Sequence, residues 1–309
     1  MKSKRDYETM QSFGLKNIPD LDICVLGALE LFSSAKIPKI EVPYKKPLIV
    51  GSGNAEATGR ILFEERDAVF ASESNFEEKL KNIDSIDGAV LISASGGKHA
   101  PIIAKTSREF RKKVTLITNN PDALAKEHSD KVFLFPRQRE PYTYNTSTYM
   151  GMILGKTHES PDEIYDFIKS RIDKIKLSDF KKYDKYYLIV PPKFSGIIRM
   201  LNVKFIELFG RRIARDVETS EYVKHATTVV PSNELFISFG EENKTWGGKK
   251  NRLYIPLPKN ADYGTMMAIS YYLIGKIQKS HTPYFKKNIS KYTKSVSKIF
   301  GQEIKPIVE

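Results

Sequence analysis

The chain has 309 residues, 40% of them hydrophobic and 28% charged, a composition typical of a globular protein with room for two domains of about 150 residues. A single cysteine, Cys24, excludes a framework of internal disulfides, and the sequence contains neither a signal-peptide pattern nor an apolar run long enough to cross a membrane, so we expect a cytoplasmic protein. The net charge of +13 is compatible with an anionic substrate, whereas nucleic-acid binding is disfavoured because no motif for it accompanies the charge.

The first half of the chain alternates apolar runs with helical patterns. A helix is predicted at 21–31, and a proline-containing connector follows as far as Pro47. Runs without polar alternation predict buried, parallel strands at Leu48–Gly51, Ala68–Ala71, Ala89–Ser93, Val114–Thr118 and Val132–Phe135. Helices are predicted to begin near Ala55, Phe76, Pro101 and Pro121.

Helices predicted at Asn145–Lys156 and Pro161–Ile175 close the first half, and a charged linker is predicted at Lys176–Lys185. The second half then repeats the pattern. Further elements are predicted at Tyr187–Val190, Ile197–Phe209, Leu235–Phe239, Leu253–Ile255 and about Ala261–Lys279. We therefore expect an N-terminal helical segment and connector, a first α/β domain, a helix and linker, a second α/β domain and a C-terminal tail, at 1–46, 47–158, 159–185, 186–280 and 281–309.

Two turns of small residues follow predicted strands, Gly51-Ser52-Gly53-Asn54 and Ser93-Ala94-Ser95-Gly96-Gly97-Lys98. Hydroxyl groups and backbone N–H groups at the start of a helix bind phosphate, and parallel sheets bind ligands at the carboxyl ends of their strands. The second turn is too short for a Walker loop, and the first lacks the third glycine of a dinucleotide-binding turn. A small phosphorylated ligand is therefore predicted rather than a nucleotide.

These turns, together with Val114–Asn120 and Glu140–Thr148, resemble the sugar isomerase (SIS) fold, and over roughly residues 20–300 the chain resembles the double-SIS proteins. The resemblance implies an α/β protein of two tandem SIS-type three-layer α/β/α domains with mostly parallel sheets. It also implies a phosphosugar site formed by Gly51, Ser52, Gly53, Asn54, Ser93, Ser95, Gly96, Lys98, Ser147 and Thr148. The sequence departs from the family at Ala55 and Lys98, where the family usually has hydroxyl side chains.

The resemblance also implies catalytic residues. Aldose–ketose interconversion needs a base that moves a proton between adjacent carbons and a group of near-neutral pKa that opens the sugar ring. In double-SIS isomerases a glutamate and a later histidine take these roles, and Glu207 and His225 match their positions. The family's C-terminal lysine corresponds to Lys291, with competing lysines at 294 and 305, and Glu218 and Glu221 are alternative bases.

We therefore expect a homodimeric isomerase of a hexose or amino-hexose phosphate that requires no cofactor. Metal binding is unsupported because the five histidines are dispersed. Two alternatives remain open: an amino-sugar phosphate deaminase or deglycase, and a non-catalytic phosphosugar-binding regulator. The sequence leaves the identity of the sugar open.

Overall fold

The computed structural model describes residues 5–226 and 233–309. The chain forms two compact units, one made of Ser34–Arg137 and Thr148–His158, the other of Met1–Ser33, Gln138–Ser147 and Glu159–Glu309. Within the described ranges, no helix has the length and apolar character needed to cross a membrane.

The first unit is built on a parallel sheet in which the strands pair in the order β2-β1-β3-β4-β5. Its strands are β1 Pro47–Val50, β2 Val69–Ala71, β3 Gly88–Ile92, β4 Lys113–Thr118 and β5 Lys131–Leu134. Every residue of β1 and β3 is buried, which is why these segments are apolar without alternation. The strands predicted from the sequence in this half are confirmed, with ends that differ by a residue or two.

Helices pack on this sheet: α3 Asn54–Phe63, α4 Phe76–Asn82 and α5 His99–Glu109. The helix predicted near Pro121 is wrong, because that segment forms a turn followed by a 3-10 helix at Leu124–His128. The physical reason is local: the Asn120 side chain accepts a hydrogen bond from the N–H of Asp122 at 3.0 Å, which fixes a turn where an α-helix would start.

The second unit contains another parallel sheet, with strand order β10-β9-β7-β8. Its strands are β7 Lys185–Val190, β8 Ala214–Thr219, β9 Leu235–Phe239 and β10 Arg252–Ile255. Strand β8 was not predicted, because this edge strand has the sequence Ala-Arg-Asp-Val-Glu-Thr, with neither an apolar run nor a regular alternation, and Val217 is its one buried residue. The remaining strand predictions in this half are confirmed.

The helices of the second unit include α7 Pro161–Ser170, α8 Ile198–Phe209, α9 Ser220–Ala226 and α10 Tyr263–Ser280. The predicted helix to Ile175 ends early, with a 3-10 turn at Ile172–Lys174. In the predicted linker, Phe180 is buried and begins another 3-10 turn. The helix α6, Thr146–Thr157, agrees with its prediction to within one residue at each end.

Two helices distant in sequence pack closely in this unit, α2 Leu21–Phe32 and α10. A Cβ atom at Gly275 would overlap the backbone nitrogen of Asp22, so only glycine allows this approach. The side chain of Gln278 accepts the N–H of Leu21 at 2.9 Å, and Lys276 lies 3.1 Å from the carboxylate of Asp22. The preceding helix, α1 Arg5–Ser12, packs on α2.

The C-terminal residues are more ordered than a tail. Residues Tyr284–Phe300 form the amphipathic helix α11, which buries Phe285, Ile289, Thr293 and Val296. Beyond it, strand β11, Ile307–Val308, pairs antiparallel with β6, Glu140–Pro141. An ion pair of 3.3 Å between Arg139 and Glu309 extends this pairing.

Candidate functional site

The sheet of the first unit has a topological switch point between β1 and β3. The chain leaves β1 through α3 toward β2 on one side, and leaves β3 through α5 toward β4 on the other. Open parallel sheets bind ligands in the crevice at the carboxyl ends of the two strands that flank such a point. The loops at that position are Gly51–Gly53 and Ser93–Lys98, the two turns singled out from the sequence.

The loop after β3 keeps its hydroxyl groups available. The oxygen of Ser93 accepts the N–H of Gly96 at 3.1 Å, and that of Ser95 accepts the N–H of Gly97 at 3.3 Å. A hydroxyl that accepts in this way can still donate its own hydrogen, and within the described residues neither O–H has an acceptor. Both serines can therefore donate a hydrogen bond to an anion.

Backbone conformation in this loop is unusual. Gly96 has φ of 59°, and a Cβ there would overlap the side chain of Ala123. Lys98 has φ of 49°, which is rare for a residue with a side chain and costs of order 1–3 kcal/mol. Such strain concentrates at ligand-binding loops. The position at which the chain departs from the SIS pattern is thus also a strained one.

The loop after β1 presents a second open helix terminus. Gly53 has φ of 57° and precedes α3, and in the described part of the chain neither α3 nor α5 receives a side-chain cap. Ala55 and Ala100 donate their N–H groups to the carbonyls of Ser52 and Gly97, each at 3.1 Å, and Pro101 has no N–H. Among the described residues, the N–H groups of Asn54 and His99 at the starts of α3 and α5 remain for an anionic ligand. Ser52, by contrast, donates its hydroxyl to Glu73 at 2.5 Å, and Asn54 is buried.

Neighbouring polar groups that were not included in the predicted site stabilise it. Asn120 donates to the carbonyl of Ser95 at 2.8 Å, and Thr118 donates to the carbonyl of Ala94 at 3.0 Å. His99 lies 3.8 Å from the carboxylate of Glu73, next to Ser52. The recurrence of polar residues after β4 was the available signal, since β4 pairs with β3.

Ser147 and Thr148 are both buried. The carboxylate of Glu140 accepts the N–H groups of Thr146 and Ser147, each at 2.7 Å, and the Ser147 hydroxyl accepts the N–H of Gln138 at 3.1 Å. Glu140 thus occupies the position at the start of α6 where an external anion would bind. The structure gives Ser147 a role in holding this loop.

In the second unit, Glu207 forms part of a buried ion pair. The ammonium of Lys204, which is fully buried, lies 2.7 Å from the Glu207 carboxylate. It also donates to the carbonyls of Thr143 and Tyr144, at 2.6 and 2.7 Å, so that all three of its hydrogens are used. The three-residue spacing on α8 places both side chains on one face of the helix. Lys204 was not identified from the sequence, although this spacing was visible there.

The electrostatic surroundings of Glu207 favour a base. Burial raises the pKa of its carboxyl group, and the ammonium of Lys204 opposes that rise. Two tyrosines lie nearby, with Tyr142 and Tyr292 ring centroids 6.1 Å apart. The pKa of Tyr292 is raised first by burial and then by the charge of Glu207, which also contributes to the raised pKa of Tyr142.

The C-terminal segment approaches the same loop. The N–H of Tyr142 donates to the carbonyl of Pro306 at 2.8 Å, and Lys305 immediately precedes that residue. Lys291 is exposed on α11, adjacent to Tyr292. His225 is exposed in the last turn of α9, and its ring has no hydrogen-bond partner among the described residues. The structure therefore groups Glu207 with Lys204 and the two tyrosines.

No group of three or more His, Cys, Asp or Glu residues suited to a metal ion is found in the described ranges. The sulfur of Cys24 is buried, where the amide of Gln138 lies 3.3 Å from it, and burial raises the pKa of its thiol.

No protein-family model matches the sequence, and no curated protein does so. Solved structures match its fold. The C-terminal domain of glucosamine-fructose-6-phosphate aminotransferase from Francisella tularensis aligns with a TM-score of 0.56 at 14% identity, over 86% of this chain and 97% of that one. Glucosamine-6-phosphate deaminase from Thermotoga maritima aligns with a TM-score of 0.55 at 14% identity, over 89% and 94%.

Tagatose-6-phosphate ketose/aldose isomerase from Escherichia coli aligns with a TM-score of 0.54 at 14% identity, over 91% of this chain and 92% of that one. At identities this low, the alignments establish only that the folds are similar. The alignments extend over most of both chains, and the aligned proteins are named for enzymes of sugar phosphates. The chain therefore has the mostly parallel α/β fold of these solved structures, in agreement with the predicted fold class.

Proposed function

We propose that the protein is a phosphosugar-binding SIS protein of the double-SIS type, and an aldose–ketose isomerase of a hexose or amino-hexose phosphate. The observation that carries the proposal is the pair of loops at the switch point, where two helices begin without side-chain caps and Ser93 and Ser95 keep donors for a phosphate. We also propose that the protein is a homodimer and is located in the cytoplasm, as the resemblance to the family suggests.

The phosphate is assigned to the hydroxyl groups of Ser93 and Ser95 and to the N–H groups at the starts of α3 and α5, and a charge-assisted hydrogen bond to it is assigned to Lys98. Proton transfer is assigned to Glu207. Its carboxylate takes the proton from C2 of the open-chain aldose, which leaves an enediolate, and returns it to C1, while the proton of the C2 hydroxyl moves to O1 to give the ketose. Partial desolvation makes this carboxylate a stronger base, and Lys204 fixes its orientation.

Ring opening is assigned to His225, and a C-terminal lysine is assigned to the open-chain oxygen. Lys291 is the residue implied by the family pattern. The position of Lys305 directly before Pro306, which binds the backbone of Tyr142, favours Lys305 over Lys291.

The experiment is a thermal-shift screen of the full chain against fructose-, glucose-, mannose- and glucosamine-6-phosphate, with inorganic phosphate as a control. We expect one sugar phosphate to raise Tm by several degrees, because a ligand that binds the folded state stabilises it by mass action. Ser95→Ala abolishes the shift, whereas Ser85→Ala, which removes an exposed hydroxyl at the amino end of β3, leaves it unchanged.

The ligand that shifts Tm is then tested for turnover. Glu207→Gln is expected to retain binding and lose turnover by a factor of about 100 or more. Release of ammonia instead of a ketose would identify a deaminase or deglycase, and saturable binding without turnover would identify a regulator. Absence of a shift with every sugar phosphate would refute the proposed ligand class.

A further inference from the structure

A cavity of about 310 Å³ opens at the edge of the second sheet where β7 and β8 begin. Asp184 immediately precedes β7 and Ile213 immediately precedes β8, so the cavity lies at the amino ends of these strands. Phe209, which also lines it, follows Glu207 by two residues and is therefore about 200° away around α8. The cavity and the proposed base face opposite sides of this helix.

Two charged side chains line the cavity, and both belong to residues that are exposed to solvent, Asp184 and Arg212. The guanidinium of Arg212 lies over the ring of Tyr284, 5.1 Å from its centroid, yet no acceptor for its N–H groups occurs among the described residues. The carboxylate of Asp184 likewise has no side-chain hydrogen bond or ion pair in the described ranges. A cation and an anion thus line one cavity without pairing with each other.

His281 supplies a third unused group. The Tyr186 hydroxyl lies 2.9 Å from the carbonyl of Phe180 and 2.8 Å from Nε2 of His281. A carbonyl can only accept, so both contacts are hydrogen bonds when Tyr186 donates to Phe180 and Nε2 of His281 donates to Tyr186. This tautomer leaves Nδ1 as an acceptor, and burial lowers the pKa of the ring, which favours the neutral form.

The other residues that line the cavity include apolar and aromatic side chains, which neighbouring residues hold in place by packing. Phe209 and Ile213 are buried, and the Phe209 ring packs edge-on against His281 with centroids 6.1 Å apart. Tyr284 packs against Gly210, whose φ is 59° and where a Cβ would approach the tyrosine ring to 3.1 Å. The aromatic wall of the cavity is therefore fixed by the backbone turn that ends α8.

We propose that this cavity binds a free α-amino acid with an apolar or aromatic side chain. The carboxylate of the ligand pairs with Arg212, and its ammonium group donates to Asp184 and to Nδ1 of His281. Its side chain packs against Phe209, Ile213 and Tyr284. A ligand with an anion alone would leave Asp184 unpaired and repelled, and one with an amine alone would leave Arg212 unpaired. The zwitterion is the ligand class that satisfies all three groups.

The test uses the full chain with L-phenylalanine as the probe, and with 3-phenylpropionate and phenethylamine as probes that lack the ammonium and the carboxylate. Binding is measured by calorimetry and by the NMR resonance of the His281 ring, assigned by its loss in His281→Asn. We expect saturable binding of L-phenylalanine that is at least about tenfold tighter than that of either analogue, because each analogue lacks one charge-assisted contact.

The variants Arg212→Gln and Asp184→Asn each weaken binding of L-phenylalanine by about tenfold or more. Arg211→Gln, which removes the neighbouring exposed charge outside the cavity, does not. Glu207→Gln also leaves binding unchanged, which separates this site from the proposed sugar-phosphate site. Absence of saturable binding, equal binding by Arg212→Gln, or equal binding of 3-phenylpropionate would overturn the proposal.

Discussion

Replacing Lys204 by methionine tests the buried ion pair of α8 directly. The substitution keeps much of the side-chain volume and removes an ammonium that is fully buried and makes three short hydrogen bonds. It leaves a mostly buried carboxylate, only 17% exposed, and two carbonyl oxygens without their donor. Removing one partner of a buried pair costs about 3–5 kcal/mol. We expect a loss of unfolding free energy of that size at neutral pH.

The assay is urea unfolding followed by the fluorescence of Trp246, which is the single tryptophan and belongs to the same compact unit as Lys204. The matched control is Lys193→Met, which removes one hydrogen bond from an exposed lysine to the carbonyl of Ala261 and should cost about 1 kcal/mol or less.

The double variant Lys204→Met with Glu207→Gln separates the pair from other effects. Because it no longer buries an unpaired carboxylate, it should be less destabilised than the sum of the single variants by about 1–3 kcal/mol. A loss below about 1 kcal/mol for Lys204→Met, or additive effects in the double variant, would refute the view that this pair is a buried and coupled one.

Three further outcomes follow from the geometry. Because the pKa of Glu207 is raised in the folded state, the folded protein binds the proton of this carboxyl group more tightly than the unfolded chain does. The unfolding free energy, relative to that of Glu207→Gln, should therefore fall as the pH rises from 4.5 through the raised pKa. Parallel profiles of unfolding free energy against pH for the two proteins would contradict this. Gly96→Ala should lower the free energy of unfolding by about 1–3 kcal/mol, measured by thermal denaturation followed by circular dichroism. Gly97→Ala should be nearly neutral, because a Cβ there would lie 3.7 Å from its nearest atom. Equal effects of the two substitutions would argue against strain at Gly96. Lys305→Ala should lower kcat at least about tenfold and Lys291→Ala should not; the reverse result would restore Lys291 as the catalytic lysine.

The parallel strands of the core could be predicted, because a strand that is buried on both faces is a continuous apolar run in the sequence. Each residue of β1, β3 and β9 is buried, and their apolar runs show it in the sequence. Strand β8 lies at an edge of its sheet and carries Arg215, Asp216 and Glu218, so its sequence shows no apolar run or alternation that would distinguish it from a loop. Helix α11 has a clear helical spacing of buried residues, hidden in a lysine-rich composition that suggested a tail.

The candidate site was predictable to a similar degree. The glycine and serine turns could be predicted from the sequence, because the residues that form each loop are consecutive. The contacts of Lys204 with Thr143 and Tyr144, and the pairing of β11 with β6, join segments far apart in sequence. The local spacing of Lys204 and Glu207 could be noticed in the sequence, but nothing in a single sequence shows which distant carbonyl groups Lys204 contacts.

The contact between α2 and α10 has a consequence for biosynthesis. The helix Leu21–Phe32 is apolar on nearly every side, and its partner Tyr263–Ser280 is made more than 200 residues later. At translation rates of 5–20 residues per second, α2 waits roughly 10–50 s for the surface that covers it. The segment Ser34–Arg137, which contains all five strands of one parallel sheet, leaves the ribosome before α10 has been made. We therefore expect folding on the ribosome to begin in the middle of the chain, while part of the surface of the first long helix stays uncovered until synthesis is nearly complete.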